Sequence, residues 1–215
     1  MPFIKLINEF EHKSYDGEQG LKNLIYYIIQ PTKTTQDTVR ELTVLYNYVG
    51  CEPFIYPRVF ETDPDYVFDY LVTNNRIYNK SNVKDIMKHR VVSFSPVDYI
   101  LPADAAQLGR KLITYYAQEG YIAAYAVHMD TYHIHLHIAV NTVSYVNGNR
   151  FHIYNEYNKV KSIVDTWFFN KMEVIDHNLN RKERYENTLF GDNIISYSKI
   201  GLDAKTQIWN AVHLL

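Results

Sequence analysis

The stretch "AVHMDTYHIHLHIAVN", residues 126–141, holds four of the nine histidines of the chain. Its second half alternates histidine with aliphatic residues, the pattern of a β-strand with one polar and one apolar face. His133, His135 and His137 therefore share one face. A turn over Met129–Tyr132 would fold His128, at the end of the preceding strand, back towards them. The other face should pack under helices, through Ile134, Leu136, Ile138 and Val140.

Imidazoles that converge from two neighbouring strands predict a metal site at His128, His135 and His137. Neutral imidazole is the commonest metal ligand, and three ligands leave coordination positions open, as catalytic sites require. A structural zinc site, which usually takes four ligands including cysteine, is disfavoured because the chain has one cysteine, Cys51. The alternative interpretation is a polar sheet face whose histidines are satisfied by hydrogen bonds.

Asp130 lies two residues after His128, within reach of the same cluster. It could accept a hydrogen bond that orients an imidazole ring, or take a proton from a nucleophile. It could also be an ordinary turn residue, since aspartate favours turns.

The composition limits the class of protein. With 215 residues, 47% hydrophobic and 21% charged, the chain should be globular rather than disordered. A net charge of −2 excludes a globally basic nucleic-acid binder, so any DNA contact needs a local basic patch. The single cysteine, the lack of a signal-peptide pattern and the lack of an eighteen-residue apolar run predict a cytoplasmic protein with no membrane insertion.

The order of elements predicts an α+β fold, with a central antiparallel β-sheet flanked by helices. We expect a helix over 16–31 that buries Leu21, Leu24, Ile25 and Ile28, and a short strand at "VVSFSP". A second helix should run from Asp104, as its N-cap, to Glu119, and a hairpin turn should lie at Asn147-Gly148. A last helix, over about 154–174, should face inward through Val160, Ile163, Val164, Trp167 and Phe168. The segment 35–79 gives no clear pattern. We expect a single nuclease domain over 1–215, with a C-terminal extension from about 176.

The histidine motif resembles the signature of conjugative relaxases, the DNA-mobilisation nucleases of the HUH endonuclease superfamily. The family pattern His-x-Asp, then His-x-His, an apolar strand and Asn falls here on His128, Asp130, His135, His137 and Asn141, and His133 extends the run. "VVSFSP" is similar to the middle motif of the family. "LKNLIYYIIQP" resembles the N-terminal motif, whose helix carries the nucleophilic tyrosine; this points to Tyr27, with Tyr26 as the fallback.

The resemblance implies a relaxase that nicks single-stranded origin-of-transfer DNA at one site and on one strand, for conjugative transfer or mobilisation. Tyr27 would attack the scissile phosphate and leave a 5′-phosphotyrosyl intermediate. Asp130 or His133 would act as the base. The metal would be divalent, Mg²⁺ or Mn²⁺, although other first-row ions also suit three histidines. Accessory DNA-processing and coupling proteins would be partners.

Candidate DNA contacts are polar or basic residues within or near these motifs: Tyr26, Lys88, Arg90, Ser93, Ser95, Asn141 and Arg150. Other basic residues that could serve are Lys80, Lys84, Arg181, Lys182 and Arg184. A solvated charged face or ordinary strand serines would explain the same residues.

Three further functions remain open at this point. A replication initiator or single-strand transposase of the same superfamily would place its tyrosine after the histidines, where Tyr157 lies. A non-catalytic metal-binding or DNA-binding module would form no covalent adduct with DNA. A plain metallohydrolase would release its product without such an adduct.

Overall fold

The computed structural model describes residues 2–11, 13–29, 40–44, 54–57, 64–129 and 133–190. Within these ranges six strands form one antiparallel sheet in the order β1-β4-β6-β5-β2-β3. The strands are β1 Phe3–Leu6, β2 Arg40–Val44, β3 Phe54–Pro57, β4 Met87–Phe94, β5 Ala123–His128 and β6 Ile134–Asn141. The predicted α+β fold with a central antiparallel sheet is confirmed.

The α-helices of the same ranges are α1 Ile7–Phe10, α2 Gly17–Ile28, α3 Pro64–Ile77, α4 Pro102–Gln118 and α5 Glu156–Phe190. A 3-10 turn spans Pro96–Asp98. Helix α2 buries the four aliphatic residues expected of it. Elements β2, β3 and α3 fall in the segment that gave no clear sequence pattern.

Two helix boundaries differ from expectation. Helix α4 begins at Pro102 rather than at Asp104, because proline suits the first helical position. Asp104 lies inside the first turn, where its carboxylate accepts a hydrogen bond of 3.1 Å from the backbone amide of Leu101. Helix α5 continues past 174 to Phe190, so the polar segment expected from about 176 begins as helix.

The register of β5 on β6 decides which residues share the histidine face. His128 lies opposite His135, Ala126 opposite His137, and Ala124 opposite Ala139. The turn predicted between these strands falls mostly on 130–132, outside the described residues. The three alanines leave room for helices to pack closely on this face. They belong to a buried cluster with Leu21, Leu24, Ile25 and Ile28 of α2 and Val67, Leu71 and Val72 of α3.

The opposite face of the sheet packs against α4 and α5. A Cβ atom on Gly109 of α4 would lie 2.6 Å from a ring carbon of Tyr125 on β5, so glycine is needed for this close approach. Phe94 of β4 meets Trp167 of α5 with ring centroids 5.9 Å apart. Both faces of the sheet are therefore covered, and the histidines lie where the helical cover of their face ends.

The chain divides into two compact units, Met1–Lys171 and Met172–Leu215. The sheet, α1 to α4 and the first part of α5 belong to the first unit. That 1–215 acts as a single nuclease domain stays a prediction. No helix in the described ranges has the length and apolar character needed to cross a bilayer.

A buried ion pair joins β4 to α5 on the face away from the histidines. Arg90, 1% exposed, donates two hydrogen bonds of 2.8 Å to the carboxylate of Glu156, which also accepts one of 2.7 Å from the Tyr116 hydroxyl. Loss of one partner would leave the other charge buried and uncompensated.

We expect Glu156→Gln to lower the free energy of unfolding by about 3–5 kcal/mol, because it leaves the Arg90 charge buried without a counter-charge. Urea titration measures this. The control, Lys159→Ala, removes an ion pair of 3.1 Å with Glu119 that is partly solvent-exposed. That change should cost about 1 kcal/mol or less. Equal losses for the two variants would contradict a stabilising role for the buried pair.

Candidate functional site

The ring of Tyr27 lies among three histidines at the C-terminal end of α2. Its centroid is 5.7 Å from those of His128 and His137 and 6.1 Å from that of His89. All three imidazoles meet it edge to face. Tyr27 is 40% exposed, whereas each of these histidines is 5% exposed or less. A partly exposed tyrosine ring and buried imidazoles therefore lie together at a point that solvent reaches.

His128 connects the end of β5 to the end of α2. Its Nε2 donates a hydrogen bond of 2.8 Å to the carbonyl oxygen of Ile28. The last carbonyls of a helix have no partner within the helix, so they accept such bonds readily. Because a carbonyl oxygen can only accept, the proton of the neutral ring is on Nε2 and the lone pair is on Nδ1. This bond fixes the C-terminal end of α2, which carries Tyr27, against the histidine strand.

His137 takes part in a buried chain of hydrogen bonds. Its Nδ1 lies 2.9 Å from Nε2 of His89 on β4, and Nδ1 of His89 lies 3.1 Å from the hydroxyl oxygen of Tyr15. Burial, and then the positive charges of Lys13 and Arg90, lowers the pKa of His89 from 6.5 to about 3. Burial also raises the pKa of Tyr15 to about 12. His89 is therefore neutral, and Tyr15 protonated, over the physiological pH range.

His135 and His133 extend the cluster towards solvent along β6. The ring centroid of His135 lies 6.1 Å from that of His137. His133 is exposed and parallel to His135, with centroids 6.2 Å apart, and its Nδ1 lies 3.3 Å from the carbonyl oxygen of Phe94. Asp130 lies outside the described residues. His133 and Asp130 as bases stay predictions.

A groove of about 390 Å³ leads from this cluster to the β1 edge of the sheet. Two rows of residues in register form its floor. Phe3, Ser93 and His135 make one row, and Lys5, Val91 and His137 the other. The residues that line the groove come from β1, β4 and β6, from α1 and the segment after it, and from the end of α2. They are Phe3, Lys5, Ile7, Glu11, Lys13, Tyr27, His89, Val91, Ser93, His135 and His137.

The histidine cluster provides suitable donor atoms for a first-row divalent ion, since its rings are imidazoles with one lone pair each when neutral. Among the residues that the structure describes, no three His, Cys, Asp or Glu side chains are arranged to hold a metal as they stand. The hydrogen bonds of His128 to Ile28 and of His137 to His89 each use one ring nitrogen. A shared ion would bind Nδ1 of His128 and Nε2 of His137, the other nitrogen of each ring. Metal binding by His128, His135 and His137 stays a prediction.

Three of the residues predicted to contact DNA lie away from the groove, and two of them are buried. Arg90 is buried in its ion pair with Glu156. Asn141 is fully buried, and its side chain donates to the Leu71 carbonyl and accepts from the Val143 amide. Lys88, one residue from His89 on β4, points to the sheet face opposite the histidines. The sequence did not reveal which face of β4 meets the histidines.

The other predicted DNA contacts divide by position. Ser93 lines the groove. Ser95 accepts a hydrogen bond from the Val97 amide at the start of the 3-10 turn. Arg150 donates to the carbonyl oxygen of Lys84 at 2.6 Å. Tyr26 points along α2 towards α3, where its hydroxyl donates to Asp65.

The sequence did not point to seven of the residues that line the groove: Phe3, Lys5, Ile7, Glu11, Lys13, His89 and Val91. Lys13 is exposed, with its Nζ 6.0 Å from the ring centroid of Tyr27. His89 could have been found from the alternation of His89, Val91 and Ser93, which share one face of a strand. That signal has meaning only once this strand is known to pair with the histidine strand.

His89 should make the stability of the metal-free protein depend on pH. Its pKa in the folded state, about 3, lies below the usual 6.5, so the unfolded chain binds the proton first as pH falls. Its contribution is fully present above pH 6.5 and is lost as pH falls towards 3. We expect His89→Gln to flatten the decline in unfolding free energy between pH 6.5 and 4, measured by urea titration in EDTA. The same change at exposed His152 should leave the decline in place; an unchanged decline in His89→Gln would contradict this assignment.

Two comparisons with known proteins identify the family of this chain. The family model of the MobA/VirD2-like relaxase nuclease domain matches residues 54–167, more than half of the chain. The chain is also similar to two relatives that are both the group II intron-interrupted relaxase LtrB, one of Lactococcus lactis subsp. cremoris strain MG1363 and one of the same subspecies. It is 29% identical to each over 153 residues. Each alignment covers 68% of this chain but 26% of the relative, so the chain spans about a quarter of the length of these curated relatives. The chain belongs to the MobA/VirD2-like relaxases and matches their nuclease domain.

Proposed function

We propose that this protein nicks single-stranded origin-of-transfer DNA at one site, with Tyr27 as the nucleophile, for conjugative transfer or mobilisation. One observation carries the proposal: the Tyr27 ring lies 5.7 Å from those of His128 and His137 at the exposed end of the histidine face. A tyrosine that is close to buried imidazoles and open to solvent can reach a phosphate that they help to bind. Membership of a relaxase family supports the same chemistry.

The reaction is a transesterification. The Tyr27 hydroxyl oxygen attacks phosphorus, the bond from phosphorus to the 3′-oxygen breaks, and the DNA 5′ end becomes a phosphotyrosyl ester. The 3′-oxygen leaves with a proton as a free hydroxyl. A phenol with an ordinary pKa near 10 needs a base at neutral pH, and we assign that role to Asp130 or His133. Because the ester conserves the phosphodiester bond energy, attack by a 3′-hydroxyl reverses the step and rejoins the strand.

We propose that His128, His135 and His137 hold a divalent cation, Mg²⁺ or Mn²⁺ in the cell. Such an ion supplies charge that polarises the phosphoryl oxygen. The chain itself supplies the orientation. The Ile28 carbonyl fixes the ring of His128, and His89 contacts the ring of His137.

The groove beside Tyr27 has features that suit a single strand. Phe3, 60% exposed at the sheet edge, offers a ring on which a base can stack. Lys13 brings positive charge to the groove of a chain whose net charge is −2, whereas Lys5 is paired there with Glu11 at 3.0 Å. Its volume is within the range of sites for small ligands, so one or two nucleotides would fill it. We infer that the strand next to the nick lies there.

We expect Tyr27→Phe to abolish the denaturation-resistant adduct that forms with origin-derived single-stranded oligonucleotides and Mn²⁺. The adduct is measured as a shifted band on a denaturing gel. Tyr157→Phe should retain it, since Tyr157 lies at the start of α5, which packs on the opposite face of the sheet. Loss of the adduct in Tyr157→Phe alone would instead support a replication initiator or transposase. If the wild-type protein neither forms an adduct nor cleaves DNA across many origin sequences, the result would support a non-catalytic module. If it releases cleaved DNA without an adduct, the result would support a plain hydrolase.

Phe3→Ala and Lys13→Ala should each weaken oligonucleotide binding. Loss of a stacking ring costs about 1–3 kcal/mol of binding free energy per base. Loss of one phosphate contact makes the slope of the logarithm of the binding constant against the logarithm of the salt concentration shallower by about 0.7. Fluorescence anisotropy at several salt concentrations measures both effects. Phe169→Ala, at an exposed aromatic residue of α5, is the control and should leave binding unchanged. Equal affinity in all the variants would contradict the proposed path of the strand.

The rest of the process belongs to a larger assembly. The relatives are about four times as long as the matched segment, so accessory DNA-processing and coupling proteins, or further domains, would act with this one. We expect the reaction to occur in the cytoplasm.

A further inference from the structure

We propose that His89 is a positioning residue, which together with Tyr15 holds His137 in the tautomer whose lone pair is on Nε2. The inference rests on the proposed function, because that lone pair has a use only when His137 binds a cation at the Tyr27 site. Neither the histidine motif nor the matched family description assigns a role to His89 or Tyr15.

The three groups form one continuous chain inside the protein. Nδ1 of His137 lies 2.9 Å from Nε2 of His89, and Nδ1 of His89 lies 3.1 Å from the Tyr15 hydroxyl. The two imidazole rings lie edge to edge and roughly parallel, with centroids 5.2 Å apart and planes inclined by 28°. Tyr15, His89 and His137 are each 5% exposed or less. Water therefore has little access with which to satisfy these polar atoms in another way.

Only two arrangements of protons satisfy the chain when both rings are neutral. In the first, His137 donates from Nδ1 to His89, and His89 donates from Nδ1 to the Tyr15 oxygen. In the second, Tyr15 donates to Nδ1 of His89, and His89 donates from Nε2 to His137, which then carries its own proton on Nε2. Since each link has room for one proton, a change at either end reverses both hydrogen bonds.

Only the first arrangement lets His137 bind a cation through Nε2. Histidine ligands of metals almost always donate their other ring N–H to a protein acceptor, which fixes the tautomer and the orientation of the ring. Here His89 is that acceptor, and Tyr15 is the acceptor for His89. The hydrogen bonds through His89 to Tyr15 thus leave the lone pair of His137 on Nε2, the ring nitrogen that does not face His89.

Hydrogen bonds to the backbone and a close helix contact support Tyr15 and His89. The side chain of Asn8 accepts from the His89 amide at 2.7 Å and donates to the Met87 carbonyl at 3.2 Å. The Tyr15 carbonyl accepts from the Ile86 amide at 2.7 Å. A Cβ atom on Gly20 of α2 would lie 2.5 Å from the Tyr15 backbone, so α2 packs directly on this segment. The Tyr15 segment therefore contacts both α2, which carries Tyr27, and His89, which orients His137.

Four variants separate orientation from general stability. His89→Leu removes both hydrogen bonds. His89→Gln keeps them in kind, because an amide oxygen can accept from His137 while its nitrogen donates to Tyr15. Tyr15→Phe removes the hydroxyl that accepts from His89 in the first arrangement and leaves His89 in place, so the tautomer of His89 is no longer held by a partner at Nδ1. The control, Tyr78→Phe, removes a part-buried hydroxyl that donates to the Tyr145 carbonyl at 2.8 Å, away from the site.

The experiment measures the affinity of the full chain for Zn²⁺, a diamagnetic probe, and records the ¹⁵N shifts of the His137 ring with and without the ion. We expect His89→Leu to weaken Zn²⁺ binding about 10- to 100-fold and Tyr15→Phe roughly tenfold. His89→Gln should stay within a few-fold of the wild-type protein, and Tyr78→Phe should equal it. The shifts should report a proton on Nδ1 of His137 in the Zn²⁺-loaded wild-type protein. If His89→Leu does not fold, the Zn²⁺ affinity of Tyr15→Phe compared with that of Tyr78→Phe tests the proposal.

Failure of the inference can be told apart from failure of the proposed function. A wild-type protein that binds Zn²⁺ and forms the Tyr27 adduct, while Tyr15→Phe and His89→Leu match Tyr78→Phe, would overturn the role of His89 alone. A proton on Nε2 of His137 in the loaded protein would do the same. A wild-type protein that neither binds Zn²⁺ nor forms the adduct would overturn both.

Discussion

The antiparallel pairing of β5 with β6 sets His128 opposite His135 and Ala126 opposite His137. A slip of one residue would turn the histidines into the α4 face and the aliphatic residues towards α2. The same register lines up Ala124, Ala126 and Ala139 under α2. Small side chains at these points let the helix approach closely, and this approach brings Tyr27 to the rings of His128 and His137. The position of Tyr27 is thus a consequence of strand register and of three alanines.

The sheet carries polar groups on both faces, but it satisfies them differently. On the α4 and α5 face, Arg90 and Glu156 neutralise each other and Tyr116 completes the set. This cluster joins three elements and is buried, with Glu156 9% exposed. On the histidine face, hydrogen bonds link His137 through His89 to Tyr15, and the helical cover ends beside Tyr27. The buried ion pair suits stability, and the partly covered imidazoles suit a site where a ligand binds.

The sequence predicted the parts of the fold that depend on local pattern. The period of α2, the strand of alternating histidines and the antiparallel α+β class could all be derived, because each depends on residues close together in the chain. Asn141 is buried because α3 covers it, and its side chain donates to the Leu71 carbonyl. The burial of Arg90, the position of Lys88 and the omission of His89 have another cause, since they depend on how β4 pairs with β6. That pairing joins segments about fifty residues apart, and no local pattern states it. Helix α3 was missed because its buried face includes Asn74 and Asn75 beside Val67, Leu71 and Val72, which weakens the apolar period.

The central claim is that the hydroxyl of Tyr27 is the group that becomes joined to DNA. The most direct test is to digest the adduct formed with an origin-derived oligonucleotide and to determine by tandem mass spectrometry which residue carries the nucleotide. The account predicts a nucleotide remnant attached through a 5′-phosphate to Tyr27. A remnant on Tyr26, Tyr157 or any other residue would contradict it.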